Sequence, residues 1–196
     1  MKSEKWLDRQ NKDIYVRRAK KEGYLSRAAY KLIEIENKYK IISKSKNILE
    51  LGSSPGSWSQ VIIKFNNKAL VDAFDILDMD FNNSQIKFYN ENILEFDFEI
   101  LNKKYDLILS DLSPNTTGHK STDHLKLITL IEQIINIVEE NLKHNGYFIF
   151  KMKKGSREKN LINSLKEKFV KIDNFKPKSS RKKSSEIYVI AQNFLY

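Results

Sequence analysis

Residues Ile48 to Val61 read ILELGSSPGSWSQV, the first clear strand-to-helix transition in the chain. Two incompatible chemistries fit these letters. Gly52, Ser54 and Gly56 match the G-x-S-x-G of a hydrolase nucleophile elbow, with Ser54 as the attacking group. The same glycines can form a tight turn that lets a ligand approach the backbone, while the next helix presents its N-terminal N–H groups.

The surrounding chain bears on the choice. An elbow serine is followed in sequence by an acid and then a histidine, and the histidines here are His119, His124 and His144. His144 falls at the end of a long helical pattern, where a cation complements the helix dipole; His119 and His124 are not excluded by position. An elbow normally follows several strands, whereas this turn follows what reads as the first. The spacing is also not G-x-G-x-x-G, so a dinucleotide pyrophosphate is not signalled and a smaller adenosine cofactor is permitted. Glu50, at the end of the strand, can receive the charge of an amino-acid moiety. E/D-x-G-x-x-P-G is the loop form of S-adenosylmethionine (SAM) methyltransferases. The next strand, in LVDAFDILD, supplies Asp75 about 20 residues after the loop, where an acid can accept from both ribose hydroxyls. Asp72 and Asp78 compete for that role, but Asp75 closes the apolar run, and ligands sit outside the carboxyl ends of parallel strands.

Outward from this turn, the pattern alternates strand and helix. Strands are expected at 47–51, 69–74, 86–89, 105–110, in GYFIFKM, near 170–175 and at 187–191. The early ones are near-continuous apolar runs, which suit a parallel sheet covered on both faces. Helices are expected over about 27–39, with Ser26 as N-cap, to about Lys64, over about 122–143, and over about 157–169. The long helix carries Leu127, Leu130, Ile131, Ile134, Ile135 and Val138 and stops at Asn145-Gly146. The last two strands are joined by too few residues for a parallel crossover, so they pair antiparallel. The expectation is an α/β fold of seven strands, mostly parallel, with an antiparallel C-terminal hairpin and helices on both faces.

The 196 residues, 40% hydrophobic, fit one domain over 1–196, with a basic arm at 1–26 and a core at 27–196. Cysteine is absent, which excludes disulfides, thiolate metal sites and a cysteine nucleophile. No apolar run approaches the roughly 20 residues that span a bilayer. Residues 1–15 alternate charges, and Glu4 and Asp8 argue against a mitochondrial presequence. The expected location is the cytoplasm, with no membrane partner. Lys+Arg 35 against Asp+Glu 25 gives +10. Heavy use of Lys, Asn and Ile points to an A/T-biased genome that inflates lysine, so clustering matters more than the total. Positive charge does cluster, with Arg17, Arg18, Lys20, Lys21 and Arg27 among aromatics, and again in KPKSSRKKSSE at 176–186. Both suit phosphate contacts, and a nucleic acid is the first candidate partner.

Asp111 ends YDLILSD and Lys151 ends GYFIFK, so both emerge at the carboxyl edge that holds the glycine turn. Here a resemblance becomes specific. SRAAYKL, ELGSSPGSWSQV, SDLSPN, FIFKMKKG and SRKKSSEIYV, in this order and spacing, resemble the FtsJ/RlmE family of RNA ribose 2′-O-methyltransferases over nearly the whole chain. KWLDRQNKDIYVRRAKKEGYLSRA resembles its bacterial ribosomal-RNA branch. The resemblance implies a Rossmann-like SAM-dependent methyltransferase fold and a Lys-Asp-Lys-Glu tetrad at Lys31, Asp111, Lys151 and Glu186. It also implies cofactor contacts at Gly52, Gly56, Trp58, Asp75, Asn92 and Asp111, with no metal. Asn92 stands where the family often has an acid near the adenine. Ser53, Ser54 and Ser57 stand for its usual Ala or Gly, and Lys153 for a common aromatic.

The implied activity is methylation of a uridine ribose 2′-hydroxyl in large-subunit ribosomal RNA, by a monomer acting on the assembled subunit. Transfer to tRNA ribose, and a non-catalytic RNA-binding role in ribosome assembly, are the alternatives. Such a transfer needs in-line placement of oxygen, methyl carbon and sulfur, removal of the hydroxyl proton, and exclusion of water. An ordinary lysine is protonated at neutral pH. Lys151 is therefore either a base made available by its neighbours or a cation that orients the 2′-oxygen and stabilises developing charge. Tyr15, Tyr24 and Tyr30 are candidates for base stacking, with Tyr30 equally suited to the core.

Overall fold

The computed structural model describes residues 12–114, 117–155, 158–181 and 184–196. Residues 1–11 of the basic arm, Asn115 of SDLSPN, Arg157 at the start of the last expected helix, and Lys182 and Lys183 of the basic loop lie outside the described residues. Seven strands make one sheet: β1 (Asn47–Leu51), β2 (Leu70–Phe74), β3 (Ile86–Tyr89), β4 (Tyr105–Ser110), β5 (Leu142–Lys153), β6 (Phe169–Phe175) and β7 (Glu186–Phe194). Their order is β3-β2-β1-β4-β5-β7-β6, the first five parallel and β7 antiparallel to both neighbours. This is the Rossmann-like arrangement that the resemblance implies. The helices are α1 (Ile14–Glu22), α2 (Ala29–Tyr39), α3 (Ser57–Phe65), α4 (Lys120–Asn141) and α5 (Glu158–Lys166).

The alternation of side chains along each strand divides the core in two. Ile48, Val71, Leu107, Leu109, Ile149 and Ile190 face α1, α2 and α3, where Ala19, Leu32, Ile35 and Val61 meet them. Leu49, Leu51, Phe74, Ile108 and Phe148 face α4 and α5, which contribute Leu127, Ile131, Ile134, Val138, Leu161 and Leu165. Burial on both faces is why these strands read as unbroken apolar runs. The parallel connection from β3 to β4 carries only a single 3-10 turn, Phe98–Leu101. Aromatic packing covers the sheet there in place of a helix: Phe74 stacks on Tyr89 at 4.5 Å, and Phe96 meets Phe98 edge-on at 5.2 Å.

Three expectations need correction. The segment read as a basic arm leading into a helix itself forms α1, capped by Asp13, whose side chain accepts from the N–H groups of Tyr15 and Val16. α1 buries Ala19 but exposes Arg17, Arg18, Lys20 and Lys21, so its apolar stripe is too narrow to stand out in sequence. Ser26 is not the cap of α2, which begins at Ala29; its hydroxyl accepts from Ala28 N–H in the tight turn before the helix. α4 ends at Asn141, because Leu142 is extended and enters the ladder opposite Tyr105. His144 therefore lies in β5 and not at a helix terminus.

Candidate active site

The order of the strands reverses beside β1, whose neighbours are β2 and β4. In such sheets the usual ligand position is the crevice outside the carboxyl ends at that point. The glycine turn follows β1 at that edge. Gly52 has φ 86° and its N–H donates to Phe74 C=O at 2.8 Å, while Asp111 N–H donates to Leu51 C=O at 3.1 Å. A Cβ on Gly52 would sit 3.0 Å from the backbone nitrogen of Leu112, so glycine lets the β1 and β4 exits pack together. Gly56 has φ 110° and leads into α3, whose first N–H groups are offered to the crevice.

The Ser54 hydroxyl donates to Asp78 C=O at 2.9 Å and its N–H to Asp75 at 2.9 Å. Ser54 is thus a loop-forming residue, and His144 is remote from it on β5. Asp75 follows β2 directly and also accepts from Leu77 N–H at 2.9 Å. These bonds tie the β2 exit to the glycine turn and fix the carboxylate at the crevice. Asp72 is removed from the ribose role: it is buried within β2, accepts from Tyr105 OH at 2.7 Å and pairs with Lys103.

Beneath the turn Glu50 is 1% exposed. One carboxylate oxygen accepts from Ser59 OH at 2.5 Å, and the other has no hydrogen-bond partner among the described residues. Burial pushes this carboxyl up to about 8 against the Ser59 bond, with Asp111 and Asp75 adding to the rise. Ser53 likewise carries a buried hydroxyl without a partner among the described residues. A turn with unsatisfied acceptors below it, helix N–H groups beside it and Asp75 at its rim suits a nucleoside with a cationic amino-acid tail.

Trp58 and Asn92 each have hydrogen-bond partners within the protein. The indole of Trp58 is buried, donates to Ala28 C=O at 3.0 Å and lies 5.7 Å from the Tyr188 ring. Its side chain is spent on packing α3 to α2, which leaves its backbone N–H in the first turn of α3 for the crevice. Asn92 lies beyond β3, half-buried, accepting from Leu94 N–H and donating to Glu95 at 2.6 Å. The amide thus carries an acid, Glu95, beside it.

The four tetrad residues converge as two ion pairs. Lys151 Nζ lies 3.0 Å from Asp111 Oδ1 and also donates to the Asp111 carbonyl; Lys31 Nζ lies 2.5 Å from Glu186 Oε1. Each member comes from a different element. Lys31 projects from the first turn of α2, Asp111 follows β4, and Lys151 and Glu186 sit on the paired strands β5 and β7. Burial opposes the ionisation of Asp111, but Lys151, Lys31 and the Tyr188 hydroxyl outweigh it and hold the carboxyl below its ordinary value.

Tyr188 is the residue that motif reading missed. It lies opposite Lys151 across the ladder, its hydroxyl donates to Asp111 at 2.8 Å, and its ring lies 5.7 Å from Lys31 Nζ. The signal was present in SSEIYV, because a residue two beyond Glu186 on a strand shares its face. Tyr24 and Tyr30 are buried in the core, so neither offers a stacking surface; Tyr15 packs on Tyr30 at 5.4 Å. A separate cavity of about 1120 Å³ lies between residues 93–104 and α4 and holds none of the expected catalytic or cofactor residues.

Comparison with known proteins shows the family of the chain. The FtsJ-like methyltransferase family matches residues 24–194. A ribosomal RNA large subunit methyltransferase E of Ehrlichia chaffeensis is 44% identical, over 99% of this chain and 94% of that protein. One from Rickettsia akari is 42% identical, over 96% and 87%. A crystal structure from Plasmodium falciparum, described as that of a ribosomal RNA methyltransferase, superposes with a TM-score of 0.78. It is 36% identical and covers 88% of this chain and 99% of its own.

Proposed function

The chain belongs to the FtsJ-like methyltransferase family, and on that footing we propose that it methylates the ribose 2′-hydroxyl of a uridine in large-subunit ribosomal RNA. The proposed substrate is the assembled subunit, the methyl donor is SAM, and the protein acts as a monomer in the cytoplasm, with 1–196 as one catalytic domain. The observation that carries this reading is the paired tetrad, Lys151 with Asp111 and Lys31 with Glu186, at the same sheet edge as the glycine turn. An RNA substrate also suits the basic face of α1 and the 176–181 segment.

SAM, when bound, supplies the methyl group and a neutral sulfide as leaving group. Gly52, Gly56 and the first turn of α3 would hold it, with Asp75 on the ribose hydroxyls and Glu50 beneath the amino-acid tail. Asn92 would meet the adenine, and Asp111, a member of the tetrad, would also touch the cofactor.

Lys151 spends two hydrogen-bonding positions on Asp111. Of the nitrogen's remaining valences, one position is left for the 2′-oxygen of the substrate. As a lone pair it takes the hydroxyl proton; as an N–H it stabilises the oxyanion while the proton leaves to solvent. In the second case most of the acceleration comes from positioning. Lys31 and Glu186 border the same space, and Glu186 is fixed by Lys31, so this pair orients the ribose. A 2′-hydroxyl as the reacting group restricts the substrate to RNA.

The test is transfer of radiolabel from SAM to under-methylated large subunits, followed by mapping of the label, with tRNA in a parallel assay. Label on a ribose of large-subunit RNA is expected. Label in tRNA alone would move the substrate to tRNA, and no label with salt-sensitive RNA binding retained would leave an RNA-binding role.

A further inference from the structure

A pocket of about 230 Å³ opens directly beside the Lys31–Glu186 pair. It is walled by Arg27, Arg181 and the residues Ser26, Ser180 and Ser184. Its two arginines come from distant parts of the chain, one before α2 and one in the β6–β7 connection. One carboxylate joins them: Asp13 Oδ2 contacts Arg27 and lies 3.5 Å from Arg181 Nε. The other oxygen of Asp13 is committed to capping α1. The second terminal nitrogen of Arg27 donates to Ser179 C=O, and Glu34 accepts from Lys178 and Ser179 N–H. The pocket wall is thus pinned to α1 and α2.

The charges do not balance. Among the described residues Arg27, Arg181 and Lys31 pair with two carboxylates, Asp13 and Glu186, so one positive charge lacks a carboxylate partner there. Arg27 is lowered from its ordinary value by burial, against Asp13, and the neighbouring Arg181 adds to the lowering, as expected for crowded guanidinium groups. The two arginines are not equivalent. Arg27 is largely buried and structurally committed, whereas the Arg181 side chain is 40% exposed and holds Asp13 only at the longer distance.

We propose that this pocket is the subsite for one of the two phosphodiesters flanking the target ribose, with Asp13 holding Arg27 in place while Arg181 turns to the phosphate. The proposal rests on the RNA methyl-transfer reading above. A guanidinium presents a planar fork of donors matched to phosphate oxygens. A phosphate gripped here is one short step from the space between the two lysines, so it sets the register of the ribose that reacts.

The test is a thermodynamic cycle on binding. Fluorescent stem-loop RNAs carrying the mapped target nucleotide are made with a neutral methylphosphonate at the 5′-flanking, the 3′-flanking or a distant phosphate. Each is titrated with wild type and Arg181→Ala. For one flanking position, either change alone is expected to weaken binding by about tenfold, and the two together by no more than one alone. Arg181→Ala should also lower the slope of log affinity against log salt by about one. Losses that multiply at both flanking positions would overturn the subsite alone, provided wild type labels RNA. Failure of wild type to label any RNA would overturn the enzymatic reading and the subsite with it.

Discussion

The Tyr188 hydroxyl donates a 2.8 Å hydrogen bond to the same Asp111 oxygen that lies 3.0 Å from Lys151 Nζ. Burial, then Asp111 and Glu186, push the Tyr188 hydroxyl well above its ordinary value, so it remains a donor. Tyr188→Phe removes a bond that favours ionised Asp111. The carboxyl therefore rises, and the acid limb of the kcat profile should move to higher pH. With Lys151 still paired to Asp111, kcat near neutral pH should fall only about two- to tenfold. A profile whose acid limb does not move would show that Tyr188 is only packing.

Lys151→Ala removes the cationic partner from a buried carboxylate and empties the position that faces the 2′-oxygen. Methyl transfer should fall by about 10²–10⁴-fold, the range for a lost acid–base or charge-stabilising group. Calorimetric binding of SAM should persist, because the glycine turn is untouched. Transfer at the wild-type rate would contradict the proposed chemistry.

Glu50 makes the protein's stability fall with pH. Its folded-state carboxyl lies at about 8, above the ordinary carboxyl value of the unfolded chain. The unfolded chain thus binds fewer protons between the two values, and stability is full below the ordinary carboxyl range and declines as pH rises toward 8. The loss is on the order of a few kcal/mol. Chemical denaturation without SAM should show that decline in wild type and a flatter profile in Glu50→Gln. Parallel profiles would refute the assignment.

Gly56→Ala tests the turn. The residue has φ 110°, and an added Cβ would lie 2.5 Å from Phe81 Cβ, so both backbone and packing resist the change. A destabilisation of about 1–3 kcal/mol is expected. SAM affinity should fall with it, read by calorimetry at a temperature where the variant is folded. Unchanged Tm and affinity would mean that the turn is not strained by a side chain.

Trp58→Phe separates packing from ligand contact. It deletes the indole bond to Ala28 C=O, worth about 1 kcal/mol, and should lower Tm by roughly 2–4 °C. SAM binding should change little, since the backbone N–H is kept. A large loss of affinity at unchanged Tm would place the indole itself in the cofactor site.

Much of the architecture was legible because backbone chemistry writes it locally. Apolar runs at β1, β2 and β4 mark strands buried on both faces, Gly52 and Gly56 mark a turn that only glycine tolerates, and strand ends locate Asp75, Asp111 and Lys151 at one edge. α1 was not legible, since its stability comes from docking Ala19 and from the Asp13 cap more than from a broad apolar stripe. Trp58 was legible as a motif letter, but its indole direction depends on where α2 packs.

The sequence by itself determined the strand-helix alternation, the glycine turn and the place of Asp111 and Lys151 after apolar runs, because short-range sterics and burial leave a local imprint, whereas Lys31 and Glu186 entered only through the family resemblance. Tertiary structure alone decided that Lys151 pairs with Asp111 and Lys31 with Glu186, and that Tyr188 bridges them. It also decided that Asp13 gathers Arg27 and Arg181. These contacts join residues far apart in the chain, and Coulomb attraction at about 3 Å depends on distance in space, which spacing in sequence does not encode.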